Sequence, residues 1–404
     1  MSYVEGFKDK VAQTSPFSLA LEVESASGSY IYTAGGKSYL DFTSGMSVNN
    51  AGHRNPYVMA SIEQQLKNYL HTTVYGEHVQ RPQVTLADKL TKRYAVNHED
   101  YQVFFTNSGT EATELALKMA RKTTGREKFV ALRGGFHGRT FGSMSVSWNE
   151  KYKKGFGKLF ECQFIEPGNY DDLNFIEWDD VAGVIVEIVQ GESGAVKVEP
   201  AWLQSLHILA RSVGAKFIVD EVQTGVYRTG PFFAQHGVVD VLADFTTIGK
   251  AVGGGMPIGG VIAKKEDFEE LQNPPFSHVT TYGGHPVSCA AGLGLIEYLE
   301  QDDRLERIGK NAKYFEECLD NLVQYNRDKL ASYSGAGFLR ALHFHSSETV
   351  EQFVKNMHSE YRILLGYKLN SAGAVRLSPP LTVTSVEIEK FFDAASVVLQ
   401  NLST

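Results

Sequence analysis

Residues 217–260 read FIVDEVQTGVYRTGPFFAQHGVVDVLADFTTIGKAVGGGMPIGG, and this stretch decides the fold. Its first apolar run ends at Asp220, and a second, β-rich run over 245–248 is followed closely by Lys250. Functional groups collect at the carboxyl ends of strands in open α/β sheets. We therefore expect two neighbouring strands that bring Asp220 and Lys250 to the same edge of one sheet.

An acid and an amine at one sheet edge suit the chemistry of an aldehyde cofactor. A lysine amine forms a Schiff base with the aldehyde, and an aspartate keeps a pyridinium nitrogen protonated. Each residue also has a plainer interpretation, in which Lys250 is a surface lysine in a glycine loop and Asp220 is a cap. Together they predict a site for pyridoxal 5′-phosphate (PLP), with Lys250 and Asp220 as its catalytic residues.

The residues around this pair resemble those of the class III (ω-) aminotransferases of PLP fold type I. That family carries an apolar strand, the motif DE-V-Q-T-G-x-x-R-T-G, and a lysine just before a Gly-rich P-I-G segment. Here the motif spans 220–230, the lysine is Lys250 and the P-I-G segment is 257–259. The resemblance covers nearly the whole chain, from Gly28 to the final helix. It implies the acetylornithine, ornithine and 4-aminobutyrate aminotransferase subgroup.

The order of the predicted elements indicates the fold class. Strand-like and helical segments alternate from 103 to 263, which is typical of an α/β domain. The near-continuous apolar run over 182–189 predicts a central parallel strand. The resemblance implies the PLP-dependent transferase fold type I. We expect a large domain over 51–305 with a mostly parallel sheet, and a smaller α+β domain built from both chain ends, 1–50 and 306–404.

The composition limits the partners of the chain. Its 404 residues include 39 basic and 47 acidic side chains, a net charge of −8. This balance argues against nucleic acid and anionic membrane surfaces as partners. The sequence has no run of about 18 apolar residues that would span a membrane. The three cysteines show no disulfide or zinc spacing. We expect a cytoplasmic protein without a metal site.

A second segment is suited to binding an anion. The strand-like run 103–105 leads into Thr-Asn-Ser-Gly-Thr-Glu, 106–111, and then into a helix. Free backbone N–H groups and the helix dipole favour a phosphate at such a turn, although the same residues also fit an ordinary helix N-cap. The resemblance implies that Ser108, Gly109 and Thr110 form the phosphate cup.

The segment SHVTTYGGHP, 277–286, resembles the family's S-T-Y/F-G-G-N-P turn. The threonine of that turn reaches the phosphate of the neighbouring subunit, and it corresponds to Thr281 here. The resemblance therefore implies a homodimer with shared active sites. His285 stands where the family has asparagine, and we assign it no role.

A phenylalanine and an arginine follow tight glycine turns after the next strand. Phe136 offers a flat face for stacking on a pyridine ring, and Arg139 offers a two-pronged donor for a carboxylate. A core phenylalanine and a solvated arginine are the alternatives. The resemblance implies that this segment, with His137, covers one face of the cofactor and that Arg139 holds a substrate carboxylate. It also implies two contacts elsewhere: Val222 under the ring, and Gln223 at the ring's 3′-oxygen.

The resemblance further implies how one pocket accepts two substrates. Arg376 matches the arginine that meets the second carboxylate of 2-oxoglutarate, and Glu192 matches the glutamate that shields this arginine from the amino donor. We expect Glu192 and Arg376 to be paired for the donor and parted for 2-oxoglutarate; a structural salt bridge is the alternative. Ornithine-specific members carry tyrosine at the position of Met46, so Met46 favours an N-acylated or amine-free donor.

Two other functions remain open from the sequence. A PLP-dependent mutase or decarboxylase on the same fold would turn over one substrate without a stoichiometric keto-acid acceptor. A dinucleotide-binding or regulatory α/β protein is less well supported, because glycines 253–255 do not complete G-x-G-x-x-G: residue 258 is Ile. We predict a PLP-dependent aminotransferase whose partners are a small-molecule amino donor and 2-oxoglutarate.

Overall fold

The computed structural model describes residues 2–15, 18–74, 77–238, 242–366 and 370–402. Its strands are β1 (Val23–Ser27), β2 (Tyr30–Thr33), β3 (Ser38–Asp41), β4 (Tyr101–Thr106), β5 (Lys128–Leu132), β6 (Cys162–Ile165), β7 (Val181–Val186), β8 (Val189–Gln190), β9 (Val196–Lys197), β10 (Lys216–Asp220), β11 (Phe245–Gly249), β12 (Gly259–Lys264), β13 (Leu330–Ala336), β14 (Leu339–Phe344), β15 (Ile363–Leu364) and β16 (Ala374–Leu377). Its helices are α1 (Tyr3–Lys10), α2 (Ser44–Ser47), α3 (Pro56–Leu66), α4 (Arg81–Tyr94), α5 (Gly109–Thr124), α6 (Phe141–Val146), α7 (Tyr170–Asn174), α8 (Pro200–Ser212), α9 (Lys265–Glu269), α10 (Pro286–Leu299), α11 (Arg304–Tyr325), α12 (Ser347–Ser359) and α13 (Ser385–Asn401). Within these ranges, none of the helices combines the length and the apolar character that crossing a bilayer requires.

The central element is a seven-stranded sheet with the strand order β4-β12-β11-β10-β7-β5-β6. The strands from β11 to β6 are paired in parallel, whereas β12 is antiparallel to both of its neighbours. The predicted α/β fold with a mostly parallel sheet is confirmed.

Both faces of this sheet are covered by helices. Val184 of β7 belongs to a buried apolar cluster with Trp202 of α8. The next residue along the strand, Ile185, belongs to a different cluster with Leu115 of α5. Because successive side chains of a strand point to opposite faces, the two helices lie on opposite sides of the sheet. Burial on both faces explains why β7 is a continuous apolar run.

The register of two central strands positions the functional residues. Strands β10 and β11 are parallel neighbours, and Asp220 pairs with Thr247. Both strands therefore end at the same edge of the sheet, and Lys250 follows β11 directly. The predicted placement of Asp220 and Lys250 on neighbouring strand ends is present in the structure.

Segments from both chain ends pack together beside the large sheet. Strand β15 pairs with β3 in the four-stranded sheet β1-β2-β3-β15, and β13-β14-β16 form an antiparallel sheet. The rings of Phe42 and Phe391, from opposite ends of the chain, are stacked with their centroids 4.4 Å apart. The division into a domain over 51–305 and one over 1–50 with 306–404 stays a prediction.

A buried arginine connects the loop after β10 to these terminal segments. Arg228 is 0% exposed. Its guanidinium donates to the carbonyls of Phe338 at 3.2 Å and Pro379 at 2.5 Å, and to the hydroxyl of Ser44 at 3.2 Å. A buried cation is tolerated where hydrogen bonds replace those it made to water. Arg228, part of the motif over 220–230, thus fixes the loop next to the site.

Candidate active site

Lys250 lies at the carboxyl end of the sheet, where β11 ends and a 3₁₀ turn over Lys250–Gly253 begins. Its φ of +46° is in the left-handed region, which costs a residue with a side chain about 1–2 kcal/mol. Burial lowers the pKa of its amine, the cation of Arg376 adds to this, and the negative charges of Glu192 and Asp220 oppose it. The lowered pKa makes the amine a better nucleophile near neutral pH.

Asp220 is 4% exposed and is fixed from two sides. Its Oδ2 accepts a hydrogen bond from Nδ1 of His137 at 2.7 Å, and its Oδ1 accepts one from the backbone N–H of Val222 at 2.9 Å. Burial acts to lower the pKa of His137, but the hydrogen bond and the charge of Asp220 outweigh it and raise that pKa. His137 therefore orients the carboxylate through this hydrogen bond.

The amino end of α5 forms a turn with donors for an anion. Ser108 is the N-cap: its Oγ accepts from the N–H of Glu111 at 3.3 Å. The N–H groups of Gly109 and Thr110 come first in the helix, where helix geometry provides no acceptor. The hydroxyl of Thr110 is held by Ser143 Oγ at 2.7 Å. This end of a 16-residue helix also carries the positive end of its dipole.

Val222 and Gln223 lie beside this turn. A Cβ at Gly109 would come within 2.6 Å of a Val222 methyl group, so only glycine allows this close approach. The buried Gln223 donates from Nε2 to Ser47 Oγ at 3.3 Å, and a Cβ at Gly191 would come within 2.0 Å of its Oε1. Gln223 is thus wedged between two other segments of the site.

Arg139 is stacked between two aromatic rings. Its Cζ lies 4.5 Å from the ring centroid of Phe136 and 4.6 Å from that of Tyr152. Burial lowers the pKa of Arg139, while Tyr152 and Glu192 act to raise it. An arginine keeps its charge through such shifts, so the site has a fixed cation here.

Arg376 and Glu192 form a buried ion pair. Arg376 is 0% exposed, and its Nη1 donates to Glu192 Oε1. Its Nη2 lies 3.1 Å from the sulfur of Met46, a residue with a φ of +65°. The structure therefore brings together the three residues that the sequence grouped around the substrate.

Thr281 is exposed. The neighbouring Thr280 accepts from Nδ2 of Asn107 at 2.8 Å. In the part of the chain that the structure describes, no hydrogen bond joins Thr281 to Ser108 or Thr110. The predicted role of Thr281 needs a second subunit and stays a prediction.

Comparisons with known proteins extend these observations. The family described as Aminotransferase class-III matches residues 11–399. The chain belongs to this family. The class-III aminotransferase is 34% identical over 393 residues to the acetylornithine aminotransferase of Archaeoglobus fulgidus, which covers 96% of this chain and 98% of that protein. It is 36% identical over 384 residues to the acetylornithine aminotransferase of Listeria innocua, and the match covers 94% of this chain and 95% of that protein.

Solved structures agree with the fold. The ornithine aminotransferase from Toxoplasma gondii ME49 superimposes with a TM-score of 0.87 and 26% identity, over 98% of this chain and 94% of that one. The fold is shared by the taurine:2-oxoglutarate aminotransferase from Bifidobacterium kashiwanohense, which was solved with PLP and glutamate. The TM-score is 0.88 at 23% identity, over 99% of this chain and 98% of that one. The predicted fold type I and transaminase activity are confirmed; the substrates are an amino donor and a keto acid.

The aminotransferase site contains one buried acid that sequence reasoning did not assign. Glu187 Oε2 accepts from the N–H of Phe136 at 3.0 Å, and its Oε1 accepts from the N–H of Gly191 at 3.3 Å. Burial raises its pKa to about 7, although His137 counteracts this. Glu187 joins the loop of Phe136 to the turn of Glu192. Its signal in the sequence was one charge inside an apolar run.

In this aminotransferase, Asp220→Asn should lower the pKa of His137, because the amide carries no charge and burial then dominates. In the wild type, the raised pKa means that protonated His137 stabilises the fold fully below about pH 6.5, the unfolded value. This stabilisation is lost as the pH rises through the folded pKa. The ¹⁵N shifts of labelled histidines measure the change.

His278 is the internal control for that titration. Burial, with the cation of Lys118, lowers the pKa of His278 to about 4. The neighbours of His278 include Lys118 and Phe104, and neither of them contacts Asp220 through a hydrogen bond in the described part of the chain. Asp220→Asn should leave the titration curve of His278 unchanged. A His137 titration that is the same in both proteins would contradict the role given to Asp220.

Proposed function

We propose that this aminotransferase uses pyridoxal 5′-phosphate to move an amino group from an N-acylated ω-amino donor to 2-oxoglutarate. The observation that carries the proposal is the pair at the sheet edge. Lys250, an amine whose pKa is lowered by burial, follows the strand beside the one that ends in Asp220. The family is described as Aminotransferase class-III, and this pair supplies the residues that amino transfer with PLP requires.

The side chains fit this cofactor along its whole length. Its phosphate suits the N–H donors at the amino end of α5. Its flat ring would lie between Val222 and Phe136, its ring nitrogen would meet Asp220, and its aldehyde would meet Lys250. The proposed cofactor-binding residues are Ser108, Gly109, Thr110, Phe136, His137, Asp220, Val222, Gln223, Lys250 and Thr281.

The chemistry divides between the cofactor and the chain. The bound cofactor supplies an electron sink for the substrate carbon that loses a proton. The amine of Lys250 takes that proton and delivers one to the acceptor, which its lowered pKa favours. Asp220 holds the proton on the ring nitrogen. His137, bonded to Asp220 at 2.7 Å, keeps the carboxylate in place.

The identity of the donor follows from the side chain next to the ion pair. Met46 places a thioether 3.1 Å from Arg376. A thioether is a weak acceptor and no donor, so Met46 itself offers a free α-ammonium group no strong partner, and a neutral acylated nitrogen tolerates such a neighbour better than a charged one does. The relatives from Archaeoglobus fulgidus and Listeria innocua are named acetylornithine aminotransferases. Both observations support an N-acetylornithine-like donor.

A donor panel tests this assignment. With 2-oxoglutarate as acceptor, kcat/KM for N-acetylornithine should exceed that for ornithine and 4-aminobutyrate by about tenfold or more. Met46→Tyr should raise the activity on ornithine, because its hydroxyl can bond the free α-amine. Glutamate formation is the readout. A wild-type preference for ornithine would refute the assignment, and turnover without a keto acid would favour a mutase or decarboxylase.

Two arginines suit the two carboxylates of 2-oxoglutarate. Arg139 binds the distal one, and Arg376 binds the one nearer Lys250 once its partner Glu192 moves away. The backbone carbonyl of Glu192 accepts from the N–H of Asn370 at 3.1 Å, so the turn is held while the side chain moves. With the pair closed, Arg376 does not attract the α-carboxylate of a donor. Glu192 thereby selects the orientation of the substrate.

Glu192→Ala should raise kcat/KM for glutamate as donor, relative to the ω-amine, by about tenfold. The reason is that Arg376 is then permanently available to an α-carboxylate. Glu300→Ala is the matched control, because Glu300 pairs with Arg93 outside the site. It should leave the ratio unchanged. If Glu192→Ala also leaves it unchanged, and Arg376→Ala keeps the affinity for 2-oxoglutarate, the switch is absent.

We propose that the enzyme is a homodimer. A groove of about 880 Å³ runs along α4, the edge strand β4 and the segment 268–279. Its lining includes Val79, 88% exposed, and Phe276, 73% exposed. The exposed Tyr282 extends this apolar surface next to Thr281. Large exposed apolar surfaces mark protein interfaces. A second copy of the chain, seated here, would bring Thr281 near its phosphate-binding turn.

Sedimentation equilibrium tests the dimer with two matched variants. Val79→Glu puts a charge into the groove and should shift the protein toward the mass of one chain. Val96→Glu changes an equally exposed valine that does not line the groove, and it should leave the dimer intact. An active wild-type monomer would disprove the proposal.

A further inference from the structure

Tyr152 is an aromatic residue at the site for which the proposed function gives no role. Its ring centroid lies 4.6 Å from the guanidinium carbon of Arg139, and that of Phe136 lies 4.5 Å from the same carbon. Arg139 is exposed, and a long exposed side chain samples many rotamers. Two rings at fixed positions restrict those rotamers and set the plane of the guanidinium.

The turn that carries Tyr152 is fastened to the loop that carries the other ring. Tyr152 ends a 3₁₀ turn over Glu150–Tyr152. The preceding Asn149 donates from Nδ2 to Oδ1 of Asn370 at 3.1 Å, and Asn370 donates from Nδ2 to the carbonyl of Gly134 at 2.8 Å. Gly134 begins the loop of Phe136 and Arg139. The spacing between the two rings is therefore fixed by hydrogen bonds.

Stacking leaves the edge of the guanidinium for a ligand. A guanidinium binds a carboxylate in its own plane through two parallel N–H groups. Both rings lie within 4.6 Å of the guanidinium carbon of Arg139, and the hydrogen bond from its Nη1 to the carbonyl of Gly138 is long, at 3.4 Å. A carboxylate that approaches in the plane of the guanidinium therefore meets N–H groups of Arg139 that are already oriented toward it.

We propose that Tyr152 is a positioning residue that sets the preference of the enzyme for substrates with a distal carboxylate. The inference rests on the proposed function, because it requires Arg139 to bind that carboxylate. Without the Tyr152 ring, the guanidinium is stacked on Phe136 alone and can tilt. A dicarboxylate then loses an aligned partner, whereas a keto acid without a distal carboxylate loses nothing.

The test compares two acceptors in the holoenzyme. Tyr152→Leu should raise KM for 2-oxoglutarate about tenfold with kcat within about twofold, and should leave kcat/KM for 2-oxobutanoate nearly unchanged. Tyr152→Phe keeps the ring and should restore wild-type values. Calorimetric titration with glutarate, which does not react, should show a matching rise in Kd for Tyr152→Leu and none for Tyr152→Phe.

Two further variants separate the possible failures. Lys151→Met removes the other cation at the Tyr152 ring, 4.8 Å from its centroid, and should leave the acceptor preference unchanged. If Lys151→Met weakened the preference for 2-oxoglutarate as much as Tyr152→Leu does, the cause would be a general effect of charge, and the inference would be overturned. Arg139→Gln should abolish the preference for 2-oxoglutarate. If Arg139→Gln abolishes the preference for 2-oxoglutarate and Tyr152→Leu does not weaken it, the inference about Tyr152 is wrong. If neither variant changes this preference, the role of Arg139 is wrong.

Discussion

The parallel pairing of β10 with β11 is the constraint on which the rest of the site depends. It sets Asp220 opposite Thr247 and lets Lys250 follow at the same edge. Side chains alternate along a strand, so a slip of one residue would turn Asp220 to the other face of the sheet, away from His137. Apolar side chains on the two faces of these strands pack into two different buried clusters, and a slip would exchange the two sets and disrupt the packing of both. The core thus determines where the chemistry takes place.

Pairing makes the buried charges of the site tolerable. Asp220 is bonded to His137, and Glu192 to Arg376, with each pair almost fully buried. Removing one member of such a pair costs about 3–5 kcal/mol, because the other charge is left in a medium that solvates it poorly. A carboxylate of the substrate can replace Glu192 at Arg376, so that this buried arginine stays paired. The same penalty therefore favours an exchange of partners at the site over an open, unpaired state.

The sequence predicted what depends on local order along the chain. Asp220 and Lys250 follow apolar strands directly, so their shared edge could be predicted from strand ends, and family resemblance added the Glu192–Arg376 pair. The role of Glu187 could not be predicted, because its two hydrogen bonds reach loops at 134–140 and 191–193 that only the folded sheet brings near. Tyr152 was missed for the same reason: its partner Arg139 lies across a loop. Thr281 requires a second chain, which sequence and single-chain geometry leave as a prediction.

In the proposed mechanism, the amine of Lys250 at the end of β11 is the group that binds the cofactor. Borohydride treatment of the holoenzyme, followed by peptide mapping with mass spectrometry, tests it most directly. We expect a pyridoxyl group fixed on the peptide that contains Lys250, and no fixed group in Lys250→Ala, which should still bind the cofactor through the turn at Ser108–Thr110. A pyridoxyl group on another lysine of the wild-type enzyme would contradict the account.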